Sequence, residues 1–202
     1  MKLIYIMDPM CSWCWGFRPQ FEALIRHLPA SIPVHYVMGG LAPDSNEAMP
    51  EKTRLYVQSQ WRAVAAKTGA DFNWDFWEKC QPRRSSYPAC RAVIAAGWQN
   101  SAAIADMILA IQQAYYLQAR NPSDDTVLEA LAAEIGLDTA RFAKDLQCVA
   151  INQQLQSQIQ QARDLGAGSF PTVLLQSGTA AQILATGDTP VKSMLDSAQA
   201  ML

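Results

Sequence analysis

Two cysteines separated by two residues, Cys11-Ser12-Trp13-Cys14, are the side chains in this sequence best placed to do chemistry. They follow a short apolar run and open a segment of helical periodicity, so they stand where a helix begins. The first N–H groups of a helix lack intrahelical partners, and its dipole places roughly half a positive charge there. Both effects favour an anion. A thiolate at Cys11 is therefore expected, with a pKa in the range of about 3.5 to 7.5 known for such positions. Cys14 lies one helical turn on, where it can close a disulfide. The expected roles are attack by Cys11 and resolution of the mixed disulfide by Cys14.

Other uses of such a pair are weaker. A Cys-x-x-Cys pair can be half of a zinc site, but Cys80, Cys90 and Cys148 form no second pair, and His27 and His35 lie away from it in sequence. No metal is expected. Two inert structural thiols are the remaining alternative. A strand, the pair and a helix in one βαβ unit favour redox chemistry over both.

The elements that must hold the pair are legible from periodicity. Lys2 to Met7 reads as a buried strand stopped by Asp8-Pro9. Phe17, Phe21, Leu24, Ile25 and Leu28 recur at helical spacing, and Pro29 and Pro33 end that helix. Val34 to Met38 is a second strand closed by Gly39-Gly40, which completes a βαβ unit with a right-handed crossover. From Pro43 to Ala162 helix follows helix: Leu55 to Lys67, Ala89 to Gln99, Ala102 to Gln118, Thr126 to Glu134, Asp138 to Leu146, and Val149 to Arg163. Pro88 after Ser86, Ser123-Asp124-Asp125 and Asp138-Thr139 mark helix starts. Thr172 to Gln176, a turn at Ser177-Gly178, and Gln182 to Ala185 form an antiparallel hairpin, and Val191 to Met201 a last helix.

Removing the helical block leaves β-α-β followed by β-β-α. That order is the minimal pattern of a thioredoxin-like fold: α/β, with a mixed four-stranded sheet and here a large all-α insertion. Residues 1–42 and 163–202 are expected to form the thioredoxin-like domain and residues 43–162 the inserted helical domain.

Within that fold, Gly168-Ser169-Phe170-Pro171-Thr172 becomes a second functional element. Proline is tolerated at the first position of a strand. Base rates favour a trans bond there, but beside a reactive cysteine pair a cis Pro171 is expected. Phe170, with Ser169, then offers backbone to an extended substrate chain. Trp13, between the cysteines, is expected to be more exposed than Trp15 and Phe17 and to provide an apolar landing surface. Asp8 either caps the active-site helix or relays a proton to Cys14. Cys80 and Cys90 are read as buried thiols, with a second redox site as the alternative, and Cys148 as core. Arg91 is read as a carboxylate-binding side chain or a surface ion pair.

Bulk properties exclude several classes. The chain has 202 residues, 50% hydrophobic and 17% charged, enough for a sizeable core and inconsistent with disorder. A net charge of -2 with scattered Lys and Arg provides no nucleic-acid footprint. No stretch reaches the ~18 apolar residues of a membrane span. The apolar run at the N-terminus is too short for a signal peptide, so a cytoplasmic location is expected. Five cysteines, odd in number and widely spaced, do not make the framework of a small secreted domain.

Asp8-Pro9-Met10-Cys11-Ser12-Trp13-Cys14-Trp15-Gly16 resembles the opening of cytosolic DsbA-family proteins, the FrnE-like branch in particular. Ser85 to Ala95 resembles a helix start in the inserted domain of that branch, and Gly168 to Leu175 its cis-proline segment. The resemblance spans essentially the whole chain. It implies a disulfide oxidoreductase or isomerase, with Cys11 as nucleophile, Cys14 as resolving thiol and Pro171 as cis proline. It implies protein or small-molecule disulfides and thiols as partners, and no cofactor other than glutathione as a co-substrate. Ser12-Trp13 supplies no histidine, which departs from periplasmic DsbA and argues against a strongly oxidising centre. A sister branch resembles kappa-class glutathione transferases and 2-hydroxychromene-2-carboxylate isomerases. It carries serine at the reactive position, so Cys11 with Cys14 argues against it.

Overall fold

A computed structural model of the chain describes residues 1–199 and 201. The run Lys2–Met7 forms β1, and its side chains divide between the two faces of the sheet. Leu3, Tyr5 and Met7 join the core beneath α1 (Ser12–His27), whereas Ile4 and Ile6 pack with Ala162 on the opposite side. Burial on both faces explains the unbroken apolar run. β2 (Val34–Met38) pairs in parallel with β1 after the α1 crossover. On the other side of β1, β3 (Thr172–Ser177) is antiparallel, and β4 (Ala180–Thr186) is antiparallel to β3. The order β2-β1-β3-β4 is the expected mixed four-stranded sheet. β4 is longer than the run Gln182 to Ala185, because Gly178 at φ 57° turns the chain within two residues and lets pairing begin at Ser177 and Ala180.

Between β2 and β3 lie α2 (Glu51–Thr68), α3 (Phe76–Lys79), α4 (Tyr87–Gln99), α5 (Ala103–Tyr116), α6 (Asp125–Glu134), α7 (Thr139–Gln147) and α8 (Val149–Asp164). α9 (Val191–Gln199) follows β4, and the expected continuation through residue 200 lies outside the described residues. α2 begins four residues before Leu55, at Glu51 after Pro50, whose missing N–H costs nothing at a helix start. The four-residue α3 was not anticipated. It sits in an aromatic nest in which Trp61 meets Phe72, Phe76, Trp77, Tyr115 and Tyr116 at ring distances of 5.0–5.8 Å.

That nest anchors α2, and a glycine brings α2 close to the active-site helix. A Cβ on Gly16 would stand 2.5 Å from Val64 Cγ1 and 2.8 Å from Thr68 Oγ1, so only glycine permits this approach of α1 to α2.

Candidate active site

The chain turns sharply between β1 and α1. The N–H of Cys11 donates to the Asp8 carbonyl at 3.0 Å, and Cys11 itself is the N-cap of α1, in extended conformation. The N–H groups of Cys14 and Trp15 donate to the Cys11 carbonyl at 3.0 and 3.1 Å. The pair therefore stands at the electropositive helix end, with both thiols free. Cys11 keeps 7% of its surface exposed and Cys14 none, so an incoming disulfide reaches Cys11 first.

Their electrostatics differ in the same sense. The Cys14 thiol donates to the Cys11 sulfur and, with backbone N–H groups of Cys14 and Trp13, holds Cys11 below the ordinary thiol range. Those donors outweigh burial and the Asp8 charge, which act in the opposite direction. Cys14 is pushed well up, first by burial and then by its bond to Cys11 and the charge there. One thiol is prepared to attack and the other to hold its proton.

β3 brings the second element to the same place. The Phe170–Pro171 peptide is cis, Pro171 is buried, and the Cys11 thiol donates to the Phe170 carbonyl at 3.7 Å. Gly39, at the end of β2, makes room for the Phe170 ring, which any Cβ there would overlap. Ser169 is exposed, and its carbonyl accepts from Thr172 Oγ1 at 2.7 Å.

Beside Cys11 runs a groove of about 100 Å³ lined by Met10, Trp13, Leu41, Tyr56, Gln60 and Arg84. Trp13 is half-buried like Trp15, because its Nε1 donates to Gln60 Oε1 at 3.1 Å and lays the ring against α2. Trp15 stacks on Tyr116, and Phe17 is buried. Among the described residues Arg84 forms no ion pair, so the groove holds one uncommitted cation.

Asp8 is fully buried and does not cap α1. Its Oδ1 accepts from the Met10 N–H at 2.8 Å. Its Oδ2 accepts from the Leu41 N–H at 2.6 Å, from Ser86 Oγ at 2.6 Å and from the Cys90 thiol at 3.4 Å. Burial raises its pKa against the pull of these donors. Cys90 is buried beside it, and burial followed by the Asp8 charge pushes its thiol well up. Cys80 is half-buried and donates to the Ala119 carbonyl at 3.0 Å; Cys148, also half-buried, is the N-cap of α8. Arg91 is committed to Asp44, with two contacts of 2.8 Å. Among the described residues no group of three or more His, Cys, Asp or Glu side chains is placed to hold a metal ion.

Three participants escaped the sequence reading: Ser86 on Asp8, Gln60 on Trp13, and Tyr5, which lines one cavity with Cys14. Ser86 was visible only as a helix start, and Tyr5 only as an apolar strand residue.

A family model described as Thioredoxin matches residues 4–191. The chain belongs to the thioredoxin family. Among solved structures, this thioredoxin-family chain superimposes on a Nitrosomonas europaea protein proposed to be a protein disulfide isomerase. The TM-score is 0.88 at 28% identity, over 100% of this chain and 99% of that one. It also matches the cytosolic disulfide reductase DsbM of Pseudomonas aeruginosa, with TM-score 0.80 and 27% identity over 100% of both chains. DsbM is known in a further structure with GSH. Among curated proteins, it is 25% identical over 175 residues to the ClpXP adapter protein SpxH of Bacillus subtilis, covering 86% of this chain. The chain spans 57% of the length of that relative. Among the described residues no helix is long and apolar enough to cross a membrane.

Proposed function

We propose that this protein is a thiol–disulfide oxidoreductase or isomerase of the DsbA family, in its FrnE-like branch, working through a reversible Cys11–Cys14 disulfide. The observation that carries this reading is the division of labour within the pair: a slightly exposed, acidified Cys11 and a buried Cys14 that keeps its proton. In the reducing direction, the Cys11 thiolate attacks a substrate disulfide, forming a mixed disulfide and releasing one substrate thiolate. Cys14 then loses its proton and attacks the Cys11 sulfur, which closes Cys11–Cys14 and releases the second thiolate. Two electrons pass from the dithiol to the substrate, and the reverse sequence oxidises a dithiol.

Trp13, which lines the groove at the reactive sulfur, and Phe170, whose carbonyl accepts from Cys11, are proposed to flank the substrate, together with the neighbouring Ser169 and Pro171. An extended substrate chain is proposed to lie between them. Glutathione is proposed as a co-substrate. DsbM is known with GSH, and Arg84, which forms no ion pair among the described residues and lines the groove beside Cys11, suits a thiol carrying carboxylates. A reducing compartment fits both this partner and the DsbM likeness. The domain division at residues 43 and 162 is proposed on the same likeness, although α8 contributes to the sheet core through Ala162.

The test is the redox equilibrium of the pair against glutathione, with trapped thiols counted by mass spectrometry. A reversible two-electron transition confined to Cys11 and Cys14 is expected. No disulfide at any poise would overturn the reading. Glutathione-dependent turnover that survives Cys14→Ser would favour the transferase or isomerase branch instead. The match to SpxH favours a second reading, a partner-binding module, and binding of a ClpXP-type partner unaffected by Cys11→Ser would support it.

A further inference from the structure

Cys14 must release a proton before it can resolve the mixed disulfide, and the structure narrows where that proton goes. Once Cys11 is bonded to substrate it is no longer the thiolate that accepts from the Cys14 thiol. The nearby carboxylate is Asp8. Its Oδ1 already accepts from Met10 and its Oδ2 from Leu41, Ser86 and Cys90, so four donors compete for its lone pairs. Asp8 reaches Cys14 instead through its backbone N–H, a group that cannot take up a proton.

On the other side of Cys14 lies Tyr5. Its ring is held by Phe21 at 4.0 Å and by Tyr36 and Phe17 at 6.0 and 6.2 Å, and burial first, then the neighbouring Cys14 sulfur, push its hydroxyl well up. Behind the two is a cavity of about 50 Å³ that both line, together with Arg18, Glu22, Tyr36 and Gln112. A water occupies about 30 Å³ of liquid, so the cavity admits one. It leads to Arg18, which pairs with Glu22 at 2.8 Å, with the Glu22 side chain 45% exposed. The cavity thus joins the resolving thiol to the partly exposed Arg18–Glu22 pair of α1, and shares no lining residue with the groove beside Cys11.

We propose that Tyr5 is a catalytic residue of the resolution step and that the cavity behind it is the proton exit for Cys14. The inference rests on the thiol–disulfide reading above. The proton leaves the Cys14 sulfur for the Tyr5 oxygen as the Tyr5 proton passes to water in the cavity and on past Glu22 to solvent. The hydroxyl then turns to donate to the thiolate left behind. That thiolate attacks the Cys11 sulfur, the Cys14–Cys11 bond forms, the bond from Cys11 to substrate breaks, and the substrate thiolate departs and is protonated by solvent. The ionisable groups facing this pair are Cys11 and Asp8 on the turn before and at the start of α1, Tyr36 on β2, Arg18 and Glu22 on α1, and Tyr116 on α5.

The test uses the reduced full-length protein and a dithiobis(nitrobenzoate) disulfide as substrate. The first coloured thiol released reports attack by Cys11, and the second reports closure by Cys14. In Tyr5→Phe the first release is expected to be unchanged. The second should slow about tenfold, as loss of a hydrogen bond to a charged group predicts, and its pH profile should move upward. Ala105→Met, which narrows the cavity and leaves Tyr5 in place, should slow the second release in the same way. Unchanged closure rates and pH profiles in both variants would overturn the inference, as would slow closure in Asp8→Asn alone. Release of only one thiol by the unmodified protein would overturn the oxidoreductase reading, and this inference with it.

Discussion

Cys11 and Cys90 both stand near the start of a helix, Cys11 as the N-cap of α1 and Cys90 as the fourth residue of α4, yet they are prepared for opposite fates. Around Cys11, donors set the direction of the thiol's pKa: the Cys14 thiol and the N–H groups of Cys14 and Trp13. Around Cys90 the nearest polar side chain is a carboxylate, and the thiol spends its proton on it. Cys148 adds a third case. It caps α8, but Ile151 occupies the position where Cys14 follows Cys11, so no disulfide can close there. A place near a helix start is therefore not enough to make a thiol reactive in this protein. The donors and the second sulfur within one turn make the difference.

The contrast can be broken most directly by alkylation. In the reduced native protein at neutral pH, iodoacetamide is expected to label Cys11 ahead of every other thiol and to reach Cys90 only after denaturation. The rate at Cys11 should rise with pH through a midpoint below the ordinary thiol value of about 8.5. Equal labelling of Cys11 and Cys90, read by peptide mass spectrometry, would abolish the distinction.

A smaller effect is expected at Asp8. Asp8→Asn leaves one fewer acceptor for the buried donors, which costs about 1–3 kcal/mol. On top of this comes a pH-dependent part. Burial raises the folded pKa of Asp8, so the folded state binds its proton more tightly than the unfolded chain does. That contribution is complete below the unfolded value of about 3.9 and is lost as pH rises through the raised folded value. In urea unfolding across this range, the stability of the native protein relative to Asp8→Asn should fall as pH increases. A difference that rises with pH would mean that the donors outweigh burial.

The smallest effect is reserved for Cys90 itself. Cys90→Ala should lower stability by about 1 kcal/mol through lost packing and leave the midpoint of the Cys11–Cys14 equilibrium with glutathione where it was. A shifted midpoint would place Cys90 within the redox unit.

How much of this was legible in advance depended on the range of the interaction. The strand at residues 2–7, the cysteine pair at the start of α1 and the proline before β3 all announce themselves within a few residues. The cis geometry of Pro171 followed from pairing two such signals. By contrast, the bonds from Ser86 and Cys90 to Asp8 span 78 and 82 positions, and the one from Trp13 to Gln60 spans 47. No local pattern encodes such pairings. α3 was hidden for a related reason: four residues around Trp77 make no helical period, and the aromatic nest around Trp61 holds them in place. Tyr5 was read correctly as buried. Its hydroxyl mattered only once the opposite side of Cys14 was known to be hollow.

The bonds on Asp8 also decide how the molecule can move. Asp8 directly follows β1, Leu41 belongs to the segment after β2, and Ser86 to the start of α4. Three stretches of chain are pinned at one buried carboxyl. A hinge that swung the helical block away from the sheet would strand those donors, at about 1–3 kcal/mol each. Accommodation of bulky partners therefore falls to the outer wall of the groove, where Tyr56 of α2 is exposed. The reactive sulfur stays at a fixed post, and the approach to it does the adapting.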